Sequence, residues 1–229
     1  MKRSEEFMKN GNSTIEFQQS TDCMEAKNLL KIIRMDLYEI SNMEILEVGC
    51  GCGNFSYQVA KTFNLHHVTL SDMENYVDKN HFDKNGIKTS FIEMNLESDL
   101  NISKQFDLVF NTDVIEHLEK DKKALENMFS LVKVGGLLIV GTPNLYRIGN
   151  LMLKLLGKLH FPRKLGEDVY GDCIHIREYS PSMLINLAKC CKFKEMKIYK
   201  VGFMLPYINL CISSFIPFMN QYNFLVLKK

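Results

Sequence analysis

The run ILEVGCGCG at residues 45–53 constrains this chain more than any other stretch. Ile45, Leu46 and Val48 read as a buried strand, and Gly49, Gly51 and Gly53 then put a residue without a Cβ at every second position of a turn. Glycine tolerates positive φ and leaves no side chain between the main chain and a ligand. The helix-like segment NFSYQVAKTF follows at once. Strand, glycine turn and helix start together predict a nucleotide-type site, where helix-terminal N–H groups and bare backbone meet a polar cofactor. A dinucleotide fingerprint needs G-x-G-x-x-G. This chain has G-x-G-x-G, with Asn54 where that pattern wants its third glycine and with Glu47 just ahead of the first. A carboxylate there repels a pyrophosphate and suits a cationic ligand.

Composition narrows the class further. A chain of 229 residues is long enough for one large α/β core. Lys plus Arg number 28 against 27 Asp plus Glu, so no net field draws the chain to nucleic acid. Seven cysteines, an odd number, and a polar opening (Met1-Lys2-Arg3-Ser4-Glu5-Glu6) read as a cytoplasmic protein with reduced thiols. Cys50, Cys52, Cys190 and Cys191 read as small packing residues, with no metal set at ligand spacing.

Along the chain, strands alternate with helices, which predicts a mostly parallel sheet covered on both faces. Residues 3–40 read as helical, with Leu29, Leu30, Ile33 and Leu37 on one face. Strands follow at 67–71, 89–93 and 106–111, and helices at 74–84 and 120–132. Gly135-Gly136 reads as the break before a buried strand, LLIVG. One domain accommodates all of this: a helical cap over 1–42, a core over 43–143, a lid or insertion over 144–180 and closing strands with an acceptor-pocket wall over 181–229.

Over residues 45–143 the chain resembles the class I S-adenosylmethionine-dependent methyltransferases, whose first motif is [DE]-x-G-x-G-x-G. The resemblance implies a Rossmann-like seven-stranded, mostly parallel sheet with one antiparallel strand and S-adenosyl-L-methionine as cofactor. It places Glu47, Gly49, Cys50, Gly51 and Gly53 around that cofactor, and Asp72 with Met73 at its ribose. The alternative for Asp72 is a helix N-cap before Met73-Glu74, and the two roles are compatible. Met94, Asn95 and Leu96 match the adenine position, with Asn95 standing where relatives carry an acid. The segment NTDVIEHLEK resembles the subgroup of ubiquinone-biosynthesis and sugar or natural-product O-methyltransferases. It implies Asn111, Thr112 and Asp113 under the methionine end of the cofactor and Glu116 and His117 near the acceptor. Some quinone-pathway members are proposed to hold a cation on an acid-x-x-Glu-His set that Asp113, Glu116 and His117 match; the alternative is that Glu116 and His117 organise a helix start. His117 is the leading candidate for general base, because a neutral imidazole suits a hydroxyl acceptor near pH 7.

Beyond Pro143, the periodicity of Ile148, Leu151, Met152, Leu155, Leu156 and Leu159 predicts an amphipathic helix with Arg147, Lys154, Lys158, Arg163 and Lys164 around it. It reads as a lid over the site or as a contact with an anionic membrane, which would place the protein at a membrane's inner face. Tyr146 belongs to the same stretch. HIREYSP resembles the subgroup's H-x-R-x-[FY]-[ST], which implies His175, Arg177 and Tyr179 at the acceptor pocket, His175 as a second candidate base, and Ser180 capping a helix that Pro181 opens. Local pairing of Arg177 and packing of Tyr179 are the alternative. Residues 201–227 carry no charge and read as an acceptor-pocket wall, a homodimer surface or a membrane patch, and YNFLVLKK fits the final antiparallel strand that the resemblance implies. The implied partner is a small-molecule or lipid-linked acceptor. A nicotinamide-dependent oxidoreductase and a non-catalytic cofactor-binding module are the competing readings.

Overall fold

The computed structural model describes residues 24–37, 39–168, 171–202 and 220–229. Most of the 3–40 helix and most of the 201–227 wall therefore lie outside the described residues. Helix α1 (Met24–Asp36) buries Leu29, Ile32 and Ile33. Seven strands form one sheet in the order β3-β2-β1-β4-β5-β9-β8: β3 Lys88–Glu93, β2 His67–Asp72, β1 Ile45–Val48, β4 Phe106–Thr112, β5 Val132–Pro143, β9 Tyr222–Lys228 and β8 Glu195–Val201. β1 to β5 pair in parallel, and β9 runs antiparallel between β5 and β8. The expected sheet is therefore the observed one.

Each face of the sheet carries its own apolar cluster. Alternation along β4 shows how: Leu108 and Phe110 join Val59, Val68 and Phe82 on one side, while Val109 joins Leu125, Met128 and Leu184 on the other. Helix α2 (Asn54–Phe63) covers the first face, and α4 (Asp121–Ser130) with α6 (Pro181–Ala188) the second. Ser180 caps α6, its Oγ accepting from Met183 N–H with Pro181 opening the helix.

Three expected elements differ. Of the helix expected over 74–84, only Lys79–Asp83 (α3) forms. It buries Phe82 alone, and the chain leaves it through Gly86 at φ 70°. Gly135-Gly136 does not interrupt the chain but lies inside β5, where a Cβ on Gly136 would stand 2.7 Å from the Asp107 carbonyl. The amphipathic helix is shorter than its periodicity, spanning Ile148–Leu155 (α5). Gly157 stops it at φ 64°: its N–H bonds the Lys154 carbonyl and the next N–H, from Lys158, bonds that of Leu153. This pair of reversed bonds around a left-handed residue is a Schellman ending. An antiparallel pair, β6 (Arg163–Asp168) and β7 (Gly171–His175), follows within the segment read as a lid or insertion, where no strand was expected.

Candidate active site

The glycine turn is held from its neighbour strand. Gly49 and Cys50 N–H both donate to the Ser71 carbonyl, at 2.7 and 3.0 Å. Gly49 sits at φ +69°, and a Cβ there would lie 2.3 Å from Val114 Cγ2, so both conformation and space demand glycine. Asp72, at the end of β2, binds the same turn. Its Oδ2 accepts from Gly51 N–H at 2.8 Å and its Oδ1 from Met73 N–H at 2.7 Å. Each carboxylate oxygen keeps a further lone pair.

Gly53 opens α2 without a side chain to cap it. Glu47 supplies the missing acceptor from beneath, its Oε2 taking the Ser56 N–H at 2.9 Å. Glu47, expected at the cofactor, is 1 % exposed and is not among the residues that line the cavity described below. Burial pushes its carboxyl up to about 8. The folded chain then holds a proton that the unfolded chain has released, so the stability from this group is complete below about pH 4.5 and is lost as pH rises toward 8. Glu47→Gln keeps an acceptor for Ser56 and removes the titration. Urea unfolding between pH 5 and 8 should show a shallower loss of stability in the variant, by up to ~1.4 kcal/mol per pH unit. Parallel profiles for the two proteins would refute it.

A cavity of about 780 Å³ opens where the strand order reverses between β1 and β4, at the carboxyl ends of the strands. Gly49, Gly51, Asp72, Met73, Asp113, His117 and His175 are among the residues that line it. The remaining expected cofactor contacts lie elsewhere. Cys50 is buried, Gly53 packs against Phe82, and Met94 and Leu96 sit in the core beneath the sheet. Asn95 is exposed, its Oδ1 accepting from Glu97 N–H. Asn111 and Thr112 are buried within β4.

After β4 the chain turns sharply through Asp113, a non-glycine residue at φ 56° whose N–H bonds the Gly141 carbonyl. The strain is of the kind stored at sites. Asp113 has surface open to the cavity yet is deeply set among protein atoms, and this enclosure, with negative charge from Glu25, raises its carboxyl to about 6. The 3-10 turn Ile115–His117 then buries Glu116 and leaves His117 on the cavity wall. Glu116 is fully buried, accepting from Thr142 Oγ1 at 2.9 Å, and burial beside Asp113 holds its carboxyl well above the ordinary range. Glu116, expected near the acceptor, is not among the residues that line the cavity, and among the described residues His117 groups with Cys173 and His175 rather than with Glu116.

His117 faces the cavity. Its Nδ1 lies 2.8 Å from the Ile174 carbonyl, an acceptor, so Nδ1 carries the proton and Nε2 the lone pair. His175 makes the same choice of tautomer against Glu178 Oε1, at 2.9 Å, with the two rings 4.9 Å apart edge to face. Glu178, 1 % exposed, also accepts from Arg147 and Asn150. Burial alone would raise its carboxyl, but the His175 hydrogen bond, the Arg147 charge and Asn150 hold it below the ordinary value.

Three expected substrate contacts are not on the cavity wall. Arg177 pairs with Asp121 and donates to the Glu119 carbonyl. Tyr179 is buried with its hydroxyl 2.9 Å from Asp121, and Tyr146 is exposed outside the lining. For Arg177 and Tyr179 the local-pairing alternative is the observed one. Arg147, Cys173 and Tyr222 line the cavity instead. Sequence reading missed Cys173 and Glu178. The usable signal for Cys173 was its i, i+2 spacing to His175, which puts both side chains on one face of a strand.

The model of a methyltransferase domain matches residues 39–180. A ubiquinone biosynthesis O-methyltransferase of Rickettsia felis is 30% identical over 107 residues, 46% of this chain and 43% of that protein. A malonyl-[acyl-carrier protein] O-methyltransferase of Ilyobacter polytropus is 31% identical over 115 residues, 49% of this chain and 43% of that protein. The chain thus spans less than half the length of these relatives. Among solved structures, an S-adenosylmethionine-dependent methyltransferase of Clostridium acetobutylicum superposes with TM-score 0.62 at 17% identity, covering 96% of this chain and 98% of that one. The 1,6-didemethyltoxoflavin-N1-methyltransferase of Burkholderia thailandensis, solved with S-adenosylhomocysteine, superposes with TM-score 0.61 at 14% identity, covering 99% and 86%. With its Asp72-clamped glycine turn at the mouth of a shared cavity, and with the family model covering most of its length, this chain belongs to the methyltransferase-domain family.

Proposed function

We propose that the chain is an S-adenosylmethionine-dependent methyltransferase that methylates a hydroxyl of a small or lipid-linked acceptor, such as a quinone precursor, a sugar or a natural product. The observation that carries the reading is Asp72, whose carboxylate fixes the glycine turn and lines the same cavity as His117. The residues fit the cofactor. Asp72 has lone pairs for two neighbouring ribose hydroxyls, Gly49 and Gly51 leave the main chain bare, and Asp113 presents a carboxyl to a cationic amino or sulfonium group. When bound, S-adenosylmethionine supplies a methyl group on positively charged sulfur. His117 Nε2 takes the hydroxyl proton of the acceptor, while the walls hold that oxygen in line. Arg147 and the β6–β7 hairpin form the acceptor side of the cavity.

His117→Ala should lower turnover by about 100-fold and leave cofactor affinity unchanged, as read by single-turnover methyl transfer to quinol precursors and nucleotide sugars. Equal loss of cofactor affinity would make His117 a structural residue.

A second reading concerns where the acceptor comes from. No helix among the described residues is long and apolar enough to cross a membrane. On α5 and just beyond, however, Met152, Leu155 and Leu156 are exposed, Leu155 by 88%, beside Lys154 and Lys158. Arg147 and Arg163, expected to add charge to this face, are instead drawn to Glu178. Peripheral contact with an anionic bilayer fits what remains exposed. Co-sedimentation with anionic vesicles should fall at least several-fold in Leu155→Glu/Leu156→Glu; equal recovery of both proteins would remove the membrane from the proposal.

A further inference from the structure

We propose that His117, Cys173 and His175 form a binding site for a zinc-class divalent cation on the acceptor wall of the cavity. One ligand atom from each lies within 4.8 Å of the other two. All three residues line the cavity. They come together by construction. Cys173 and His175 alternate along β7 and so share a face, and the 3-10 turn carrying His117 is bonded to that strand's end. Ile176 and Arg177 N–H both donate to the Glu116 carbonyl, and His117 Nδ1 donates to the carbonyl of Ile174.

The chemistry of the donors selects the ion. One sulfur and two imidazoles suit Zn²⁺ and its cobalt surrogate far better than Mg²⁺ or Ca²⁺, which prefer oxygen. Outer partners are already in place. A ligating histidine characteristically donates its other ring N–H to a carboxylate or a backbone carbonyl, which fixes its tautomer and orients it. His175 does the first with Glu178 and His117 the second with Ile174. In both rings the nitrogen left as acceptor is Nε2. Three protein ligands at the edge of a cavity leave a fourth tetrahedral position open, the arrangement that distinguishes reactive zinc sites from closed structural ones. An acceptor oxygen or sulfur is the class of ligand for that position.

The ion and the proton-accepting role of His117 compete for the same Nε2 lone pair. Loading the site therefore suppresses the metal-free reaction described above, and only that consequence rests on the methyl-transfer reading. The site itself does not.

Cobalt(II) titration of the reduced, full-length protein tests it. We expect one equivalent to bind with the visible bands of tetrahedral cobalt and a near-ultraviolet thiolate-to-cobalt absorption, both displaced by zinc. Cys173→Ser should abolish the thiolate band and weaken zinc binding by more than about 100-fold, beyond the 10–100-fold that outer partners contribute. His117→Gln should also lose the tetrahedral bands. Circular dichroism and S-adenosylhomocysteine titration of each variant report folding and the cofactor site separately. Absence of tetrahedral bands in the wild-type protein, or an unchanged spectrum in folded Cys173→Ser, would overturn the site whether or not the cofactor binds.

Discussion

Asp72→Asn is expected to weaken S-adenosylmethionine binding by about 100-fold or more, an unusually large effect for so small a change. Both carboxylate oxygens accept backbone N–H groups, Oδ2 from Gly51 and Oδ1 from Met73. A carboxamide in this place must turn its NH₂ toward one of those donors, whichever way it is flipped. The variant loses one anchor of the glycine turn together with the negative charge that would receive ribose hydroxyls. Hydrogen bonds to charged groups are worth about 1.5–3 kcal/mol each, so two of them account for about two orders of magnitude or more in affinity. Asp72→Ala should do no better. If either variant binds the cofactor within threefold of the wild type, the carboxylate has no part in recognition.

Glu178→Ala should have the largest effect on stability, about 3–5 kcal/mol, as expected for removing one partner from a buried charged cluster. Arg147, Asn150 and His175 all donate to this one carboxylate, and Arg163 stands 4.0 Å away. These partners come from the start of α5, from β6 and from β7, so Glu178 ties the whole acceptor wall to the start of α6. Glu178→Gln retains an acceptor and should lose less than the alanine variant. Urea unfolding measures both. A loss within 0.5 kcal/mol for Glu178→Ala, the range of an ordinary surface change, would show that the cluster holds nothing together.

The glycine turn and Asp72 were legible because their constraints are local. Gly49, Gly51 and Gly53 all adopt positive φ, which glycine alone does without strain, and Asp72 is fixed by its place at a strand end. The order of apolar runs likewise pointed to a mostly parallel sheet, while the antiparallel β9 was implied by the family resemblance. The cavity wall built from Arg147, Cys173 and His175 was less legible because its determinants are contacts between distant segments. Nothing in HIREYSP announces that Arg177 will meet Asp121, or that Glu178 will gather two arginines. Helical periodicity continues through Leu156 and Leu159, yet one left-handed glycine, Gly157, ends α5 and makes room for a hairpin. Gly136 misleads in the other direction, serving close approach to the Asp107 backbone where a break was read. Glu47 stands in the expected motif, but nothing in ILEVGCGCG announces that its carboxyl will take the Ser56 N–H at the start of α2.

Isothermal titration of the purified protein with S-adenosylmethionine, and then with S-adenosylhomocysteine, asks whether the turn, Asp72 and the cavity form a cofactor site. Saturable binding of one equivalent of each, lost together in Asp72→Asn, is the predicted result. No heat with either compound, from a protein whose circular dichroism and cooperative unfolding show it to be folded, would contradict it.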